Sequence, residues 1–451
     1  MILDFFLQRM KKEGSEEALV TASGSISYAE LIDSYYNTLF WLKINNIQAG
    51  HVVSFDGDYS LSSISLFLAL ASNRNMIVPL SNASEVHWSE FRDIAQTEYD
   101  ISVCDEERII KVTGRNACHS LYKQLKKHKS AGLVLFSSGS TGKSKGIVHN
   151  LFHVLEKFRT LGKKQRMLIF LQMDHIGGIN SLLYNLANGG ATIVSEDRSP
   201  THVCRLIERH KADLLPTSPS FLNLLLLSKA YEQFDLSSLR LITYGTEVMP
   251  STTLDRLVEI LPQVRIKQTY GLSEIGILRT RSQDSRSLWV KIGGDDFQLK
   301  IVNSRLWVRS DSSMIGYLNA PDPFDSEGYF DTGDVVECHG EWLRILGRES
   351  EIINVGGLKV FPAEVESVLL EMEHVEDVAV FGEDHPFMGK IVVAKIKLNH
   401  QESLRDFKGR MLEFCKNRLQ KYKVPAKIFF CEEAVHNERF KRMRRFHKGW
   451  Q

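Results

Sequence analysis

The sequence has 451 residues, of which 43% are apolar and 25% are charged, a composition typical of a soluble globular protein with two or three domains. Its net charge of +1 provides no overall attraction to nucleic acid or to an anionic membrane surface. The six cysteines include no C-x-x-C pair, which argues against a zinc site or a disulfide framework and predicts a reducing cytoplasm. No apolar run approaches the roughly 20 residues of a membrane span, and the first residues become charged too soon for a secretory signal.

Short apolar runs alternate with amphipathic helical patterns from about residue 15 to about residue 345. Ser27 and Glu30 form a capping box that opens a helix, and Pro219 directly after Ser218 marks another helix start. Strands are predicted at residues 52–55, 76–78, 241–243 and 265–267, with a further helix at 62–72. The alternation predicts an α/β fold with a large N-terminal body of mostly parallel sheets flanked by helices. Ligands in such folds lie at the carboxyl ends of strands.

The pattern changes after residue 347, where a polar segment led by glycine is followed by a separate α+β arrangement. We predict helices at 363–373 and 404–422, and strands at 378–381, 391–398 and 427–431. A domain boundary is therefore expected at residues 347–350, with a small C-terminal domain beyond it.

The segment 137–146 is the most informative stretch of the chain, because it combines glycines, hydroxyls and lysines after a predicted buried strand. Glycines allow tight turns in which successive N–H groups face one anion, and the hydroxyls and ammonium groups add further donors. We predict that this segment holds a polyphosphate through Ser137, Ser138, Gly139, Ser140, Thr141, Gly142, Lys143 and Lys145.

A P-loop and a polar surface loop are the two alternatives for this segment. A P-loop requires glycine five residues before the Gly-Lys pair, and the chain has Ser137 at that position, so a P-loop is excluded. A polar surface loop has a similar composition and remains the alternative for this segment taken alone.

Two further motifs carry groups suited to a nucleotide. In residues 268–274, Tyr270 offers a flat face to a purine, Gly271 permits close approach, and Glu274 supplies an oxygen ligand for Mg²⁺. In residues 328–334, Asp334 is suited to accept hydrogen bonds from two vicinal ribose hydroxyls. Arg348 presents a fork of donors for ribose or phosphate. An ordinary turn that carries a surface acid remains the alternative for each motif taken alone.

Together these motifs resemble those of the AMP-forming adenylating enzymes, which include acyl- and aryl-CoA ligases, luciferases and the adenylation domains of peptide synthetases. The resemblance extends from about residue 15 to about 445, and the chain looks most like a compact acyl- or aryl-CoA ligase. It implies an AMP-binding domain at 1–347, a hinge at 348–350 and a mobile domain at 351–451. Ser350 stands at the hinge position, where aspartate or lysine is more usual.

The resemblance also assigns roles to single residues. His175 matches an aromatic or histidine gate at the mouth of the acyl pocket, although a purely structural histidine is an equal alternative. The remaining nucleotide and thiol positions are Gly245, Thr246, Glu247, Ser273, Gly356 and Gly357. Thr246 departs from the usual glycine or alanine and is expected to narrow the pocket.

Lys441 is our choice for the lysine that bridges the substrate carboxylate and the α-phosphate. The segment around it lacks the usual proline and glycine and is rich in arginine, so a solvated cationic tail is the alternative. The basic residues 436–448 lack an aromatic stacking platform, which argues against nucleic-acid binding.

The function implied is the activation of an aromatic or short-to-medium carboxylic acid by Mg·ATP to an acyl-adenylate, followed by transfer to a thiol. The catalytic residues would be Lys441, Glu274, Thr141 and His175, with Glu274 as the metal ligand. CoA or the phosphopantetheine of a carrier protein would supply the thiol. Two alternatives stay open: an amino-acid-activating domain that uses Asp174 to bind the ammonium group, and a catalytically weak nucleotide-binding relative.

Overall fold

The computed structural model describes residues 4–104, 107–138, 143–294 and 296–432. The helices are α1 Asp4–Glu13, α2 Tyr28–Ile44, α3 Leu61–Ser72, α4 Trp88–Ala95, α5 Ser120–Lys127, α6 Leu151–Glu156, α7 Ile176–Ala187, α8 Pro200–His210, α9 Pro219–Ser228, α10 Ser251–Ile260, α11 Pro362–Leu369 and α12 Leu404–Cys415. The strands are β1 Glu17–Thr21, β2 Gly24–Ser27, β3 Val52–Asp56, β4 Met76–Leu80, β5 Tyr99–Cys104, β6 Glu107–Val112, β7 Gly132–Ser138, β8 Ser144–Asn150, β9 Arg166–Ile169, β10 Ala191–Val194, β11 Leu214–Thr217, β12 Leu241–Tyr244, β13 Arg265–Gln268, β14 Tyr270–Leu272, β15 Gly276–Leu278, β16 Thr280–Ser282, β17 Val290–Ile292, β18 Phe297–Val302, β19 Arg305–Ser310, β20 Gly316–Tyr317, β21 Phe330–His339, β22 Trp342–Arg348, β23 Ile353–Val355, β24 Leu358–Val360, β25 Val375–His385, β26 Gly389–Leu398 and β27 Lys427–Phe430.

The first sheet has the strand order β13-β12-β11-β9-β10-β1-β2 and is parallel except for the edge strand β2. One face packs against α8, α9 and α10, where Leu215, Ile242 and Ile266 lie in one buried cluster with Phe221 and Leu254. The strands predicted at 241–243 and 265–267 are confirmed, and α9 begins after its predicted cap at Ser218.

The second sheet has the order β20-β8-β7-β4-β3-β5-β6, and it is parallel where β7, β4, β3 and β5 are neighbours. The predicted strands 52–55 and 76–78 are β3 and β4. The capping box is also confirmed, since Ser27 and Glu30 exchange hydrogen bonds at the start of α2. The glycine-rich segment joins β7 to β8 in an antiparallel pair. A β-hairpin in this place agrees with the exclusion of a P-loop, which leads from a strand into a helix.

The third sheet, in the order β16-β17-β22-β21-β19-β18, is antiparallel throughout. It corrects the expectation that strands and helices alternate as far as residue 345, because the described residues between α10 and α11 contain no α-helix. The local sequence explains this result. β19 alternates buried and partly exposed residues over most of its length, and Asn303 and Ser304 take φ values of 52° and 62° in the tight turn before it, as two-residue hairpins require.

The last sheet joins β24, β23, β26, β25 and β27 and encloses its own apolar core, which includes Val365, Leu369, Val380, Phe407 and Met411. All three predicted strands of this region are found. The two predicted helices are shorter than expected, since α11 ends at Leu369 and α12 at Cys415. After α12 the chain continues through turns and a short 3-10 helix, Lys421–Lys423, ahead of Pro425, which disfavours helical geometry at the residue before it.

Candidate functional site

The carboxylate of Asp334 connects two of the sequence motifs. It is 6% exposed, its Oδ2 accepts a hydrogen bond from Tyr270 Oη at 2.6 Å, and its Oδ1 lies 2.8 Å from Arg348 Nε. Arg348 reaches this position because the two residues are partners across β21 and β22. The structure therefore brings together Tyr270, Asp334 and Arg348, which belong to three separate segments of the sequence.

The backbone around Asp334 is fixed by its neighbours in the motif. Gly333 takes a φ of 69°, a conformation that glycine adopts without strain. Thr332 Oγ1 accepts a hydrogen bond from Asp334 N at 3.1 Å and donates one to Leu306 O at 2.6 Å. Burial raises the pKa of Asp334, and the positive charge of Arg348 opposes this shift. Burial and the adjacent carboxylate raise the pKa of Tyr270, so its hydroxyl remains a donor at neutral pH.

A second cluster links Glu274 to the glycine-rich segment through Tyr317. Tyr317 Oη donates to Glu274 Oε1 at 3.1 Å, and Lys145 Nζ lies 5.0 Å from the centroid of the Tyr317 ring, within the range of a cation–π contact. Tyr317 is held in place because β20 pairs with β8 at Ile147. Burial, with the negative charge of Glu274 second, raises the pKa of the Tyr317 hydroxyl, which keeps this group protonated.

The glycine-rich segment is described at both ends of its hairpin. Ser137 pairs with Lys145 and Ser138 with Ser144, and Lys143 is exposed. Asn319 clamps the second strand, since Gly146 N donates to its Oδ1 at 3.0 Å and its Nδ2 donates to Ser144 O at 2.8 Å. The predicted phosphate ligands that lie outside the described residues are Gly139, Ser140, Thr141 and Gly142.

His149 ties this hairpin to the motif that carries Glu274. Its side chain is fully buried, and its Nε2 lies 2.6 Å from the backbone oxygen of Ser273. Burial lowers the pKa of His149 to about 4, so the imidazole is neutral at physiological pH and Nε2–H donates to Ser273. The backbone next to Glu274 is thus anchored by a residue that sequence reasoning did not select.

The buried imidazole predicts a loss of stability in acid. The unfolded chain takes up a proton on this residue as the pH falls through the ordinary pKa of 6.5, whereas the folded protein does so only near 4. Between these two values the unfolded state binds more protons, and the free energy of unfolding should decrease by about 3 kcal/mol by pH 4. Urea unfolding as a function of pH measures the effect. His149→Gln should flatten this part of the profile, while His153→Gln, at an exposed position, should leave it unchanged; equal profiles for all three proteins would contradict the assignment.

Gly245, Thr246 and Glu247 follow β12 at the carboxyl edge of the first sheet. A Cβ atom on Gly245 would lie 2.6 Å from Thr269 Oγ1, so glycine is needed for this close approach. Thr246 has a φ of 73°, a strained conformation for a β-branched residue. Glu247 Oε2 accepts a hydrogen bond from Ser220 Oγ at 2.6 Å. This turn is therefore held tightly between β11, α9 and β13.

His175 and Asp174 stand at the start of α7 and both make structural contacts. His175 is the N-cap, and its Nδ1 accepts a hydrogen bond from Gly177 N at 3.0 Å. Asp174 is buried, and its Oδ2 accepts from Ser81 Oγ at 2.7 Å and from Ser84 Oγ at 2.9 Å. Both side chains therefore stabilise the local fold. The gate role of His175 and the ammonium-binding role of Asp174 stay predictions.

The remaining glycines of the prediction lie in a strand and at a turn. Gly271 pairs with Ile277 across β14 and β15, and a Cβ atom on it would lie 2.5 Å from Gly276 O. Gly356 and Gly357 take φ values of 57° and 87° between β23 and β24, so both positions favour glycine. Lys441 lies outside the described residues.

Glu274 has a donor set that fits a hard cation. Magnesium is usually bound through one or two carboxylates together with substrate phosphates and water, and Glu274 has one carboxylate oxygen beyond the contact with Tyr317. In the part of the chain that the structure describes, no three His, Cys, Asp or Glu side chains are grouped to hold a metal ion by themselves. The described helices also include none with the length and apolar character of a membrane span.

Comparisons with known proteins agree with this geometry. The model of the AMP-binding enzyme family matches residues 88–318, and the model of the AMP-binding enzyme C-terminal domain matches residues 364–441. An indoleacetate–CoA ligase of Aromatoleum aromaticum is 28% identical over 331 residues, which cover 67% of this chain and 63% of the relative. A long-chain-fatty-acid–CoA ligase of Mycobacterium tuberculosis is 26% identical over 327 residues, 67% of this chain and 64% of the relative.

Among solved structures, an anthranilate CoA ligase in complex with anthranoyl-AMP superposes with a TM-score of 0.79 at 19% identity, covering 96% of this chain and 93% of the other. This likeness shows the fold. The matched regions span about 63% of the length of the first curated relatives. Since the AMP-binding model alone covers residues 88–318, about half of the sequence, the chain belongs to the AMP-binding enzyme family.

Proposed function

We propose that the chain catalyses the ATP-dependent, AMP-forming activation of a carboxylic acid and then transfers the acyl group to a thiol. In the first half-reaction the carboxylate attacks the α-phosphorus, forming an acyl-adenylate and releasing pyrophosphate. In the second, the thiol attacks the mixed anhydride and AMP leaves. The single observation that carries the proposal is the contact of Asp334 with Tyr270 and Arg348 at 2.6 and 2.8 Å, which joins three separated motifs in one place.

The nucleotide would lie along the two clusters. Asp334 would accept hydrogen bonds from the ribose hydroxyls, with Arg348 beside it, and Tyr270 and the turn 245–247 would flank adenine. The hairpin 137–146 would hold the β- and γ-phosphates, with Ser138, Thr141 and Lys143 as donors. The clusters are electrostatically linked, since Asp334 and Glu274 both raise the pKa of Arg348 against the effect of burial.

Glu274 would hold Mg²⁺ through its carboxylate. When bound, the metal neutralises phosphate charge and so stabilises the charge that develops during transfer. Lys145, which lies over the Tyr317 ring, adds positive charge beside this carboxylate, and Lys143 would add a further cation from the hairpin. Lys441 would complete the set from the C-terminal domain, and the family match that extends to residue 441 supports its register.

The C-terminal domain would rotate between the two half-reactions. A reactive anhydride must first be shielded from water and then exposed to a thiol, which one fixed arrangement does not provide. We assign residues 1–347 to the AMP-binding domain, 348–350 to the hinge and 351–451 to the mobile domain. In the present arrangement Ser367 contacts the N-terminal domain: its Oγ lies 3.2 Å from Ser251 Oγ, and its backbone oxygen accepts from Thr252 Oγ1 at 3.4 Å. In the hinge, Glu349 Oε2 lies 2.8 Å from Arg305 Nη1.

Ser350→Pro should impair thioester formation more than adenylation. Ser350 lies within the short 3-10 helix Glu349–Glu351, and proline would fix its φ near −65° and restrict the residue before it. Acid-dependent pyrophosphate release in one turnover should remain, while thioester formation from a supplied acyl-adenylate should slow by about tenfold or more, since hinge residues absorb the backbone change. Ser350→Ala is the matched control. Equal losses in both half-reactions would contradict a hinge at this position.

The acid is proposed to be aromatic or of short-to-medium length. Relatives named for indoleacetate and anthranilate support an aromatic acid, and a CoA ligase named for long-chain fatty acids lies at comparable similarity. CoA or a carrier-protein phosphopantetheine would supply the thiol beside Gly356 and Gly357. We place the enzyme in the cytoplasm, in keeping with six described cysteines that form no disulfide.

A screen of pyrophosphate release tests the proposal. The full chain is incubated with Mg·ATP and a panel of carboxylic acids and amino acids, with and without CoA. Release that depends on an acid, and a thioester that forms only with CoA, would support the ligase. Turnover of amino acids alone would favour the amino-acid alternative and a role for Asp174. Measurable ATP binding without turnover of any acid would favour the catalytically weak relative.

A further inference from the structure

Three neighbouring strands of the first sheet end in buried polar atoms that lack a hydrogen-bond partner. These atoms are Thr217 Oγ1, Tyr244 Oη and Gln268 Oε1, and none has a partner among the residues that the structure describes. Thr217 pairs in register with Tyr244, and Tyr244 with Gln268. Residues in register on parallel strands project from the same face of a sheet, so the three side chains form one row.

Such a row is unusual because most buried polar groups in folded proteins are hydrogen-bonded, and an unsatisfied one is costly. Thr217, Tyr244 and Gln268 are 2%, 1% and 7% exposed. Other buried tyrosines of this chain follow the rule: the hydroxyl of Tyr122 donates to Ala95 O at 2.8 Å, and that of Tyr28 to Gly190 O at 2.8 Å.

The position of the row points to a ligand. It lies at the carboxyl ends of β11, β12 and β13, the edge at which open α/β folds bind their ligands, and Tyr244 belongs there to the buried cluster between the sheet and α8, α9 and α10. The turn 245–247 follows the middle strand directly. A fourth buried atom without a described partner, Gln172 Oε1, lies just after β9, which is the neighbour of β11.

We propose that the row Thr217–Tyr244–Gln268 is the polar wall of the acyl pocket and that the preferred acid carries a hydroxyl group remote from the activated carboxylate. This inference rests on the proposed function. The carbonyl oxygen of Gln268 only accepts hydrogen bonds, whereas the hydroxyls of Thr217 and Tyr244 both donate and accept. A ligand hydroxyl satisfies both kinds of group, because it can donate to Gln268 and accept from Tyr244 or Thr217.

The chemistry of the row disfavours a charged substituent. None of the three groups carries a charge at neutral pH, and burial raises the pKa of Tyr244. An ammonium or a second carboxylate would therefore be buried without an opposite charge from this row, which is costly. A plain hydrocarbon acid would leave the polar atoms without partners.

The first test compares acids that differ by one hydroxyl: phenylpropanoic acid with its para-hydroxy analogue, and hexanoic acid with omega-hydroxyhexanoic acid. The hydroxylated member of at least one pair should give a kcat/KM for pyrophosphate release about 100-fold higher, since the analogue that lacks the hydroxyl leaves buried polar atoms without partners. If acids turn over but neither pair shows a preference for the hydroxylated member, buried water is enough to satisfy the polar atoms of the row. The inference then fails while the proposed function stands. If no acid turns over, the proposed function fails first.

The second test uses a matched pair of variants and adds the thermal midpoint, a measurement that needs no turnover. Tyr244→Phe removes a hydroxyl without a described partner, so its thermal midpoint should equal or exceed that of the wild type, and its preference for the hydroxylated acid should fall about tenfold. Tyr122→Phe removes a hydroxyl that is bonded to Ala95 O, so its midpoint should fall and its preference should persist. A drop in the midpoint of Tyr244→Phe as large as that of Tyr122→Phe, or an unchanged preference, would overturn the inference.

Discussion

Asp334→Asn should raise the KM for ATP by about 100-fold. A hydrogen bond to a charged group contributes roughly 1.5–3 kcal/mol, and the proposal gives the carboxylate two such bonds with the ribose hydroxyls. Asparagine preserves the shape of the side chain and still accepts from Tyr270 Oη, which lies 2.6 Å from Asp334 Oδ2. The loss would therefore report on the charge, on the second acceptor and on the pair that Oδ1 forms with Arg348 Nε. Steady-state pyrophosphate release at varied ATP concentration measures the effect.

A nucleotide analogue makes the assignment of Asp334 specific. The wild type should discriminate strongly between ATP and 2′-deoxyATP, because the analogue lacks the 2′-hydroxyl that donates to Asp334. Asp334→Asn should lose most of this discrimination, because the carboxylate that accepts from this hydroxyl is then missing. Glu337→Gln is the matched control, since Glu337 lies on the same strand but is exposed. Discrimination that survives unchanged in Asp334→Asn would place the ribose elsewhere.

The sequence predicts residues that carry chemistry in short motifs, because turn and charge requirements act over a few residues. Asp334, Glu274 and the glycine-rich segment belong to this group. Tyr317, His149 and Asn319 were missed. Each of them acts through a contact 43 to 175 residues away, and a single tyrosine, histidine or asparagine in a strand or loop has no local signal of such a role.

The fold was predicted best where the hydrophobic periodicity and the helix-capping residues indicate the same element. The capping box of α2 and the cap of α9 are present, and the parallel strands of the first two sheets lie where apolar runs indicated them. The antiparallel region after β13 was predicted wrongly. Several of its strands have only three residues, and pairing across turns rather than helical periodicity defines the region, so the alternation seen earlier in the chain was extended too far.

Lys441→Ala should reduce acid-dependent ATP–pyrophosphate exchange by a few hundredfold. Attack of a carboxylate on the α-phosphorus brings like charges together, and removing one preorganised group that stabilises such a transition state typically costs about 3–4 kcal/mol. A metal held by Glu274 would neutralise part of this charge from the N-terminal domain, but it would not replace a cation beside the attacking carboxylate. Adenylation should therefore depend on Lys441 more than on any neighbouring basic residue.

The second half-reaction distinguishes Lys441 from a cationic tail. Thioester formation from a supplied acyl-adenylate and CoA needs no new charge neutralisation at the α-phosphorus, so Lys441→Ala should retain it. Arg442→Ala removes a positive charge from the adjacent position and should retain both half-reactions if the role belongs to one side chain. Equal, modest losses in Lys441→Ala and Arg442→Ala would instead indicate that the whole basic segment acts through its summed charge. Unchanged exchange in Lys441→Ala would mean that another cation contacts the α-phosphate, and the positive charge near Arg348 and Lys145 would then have to supply it.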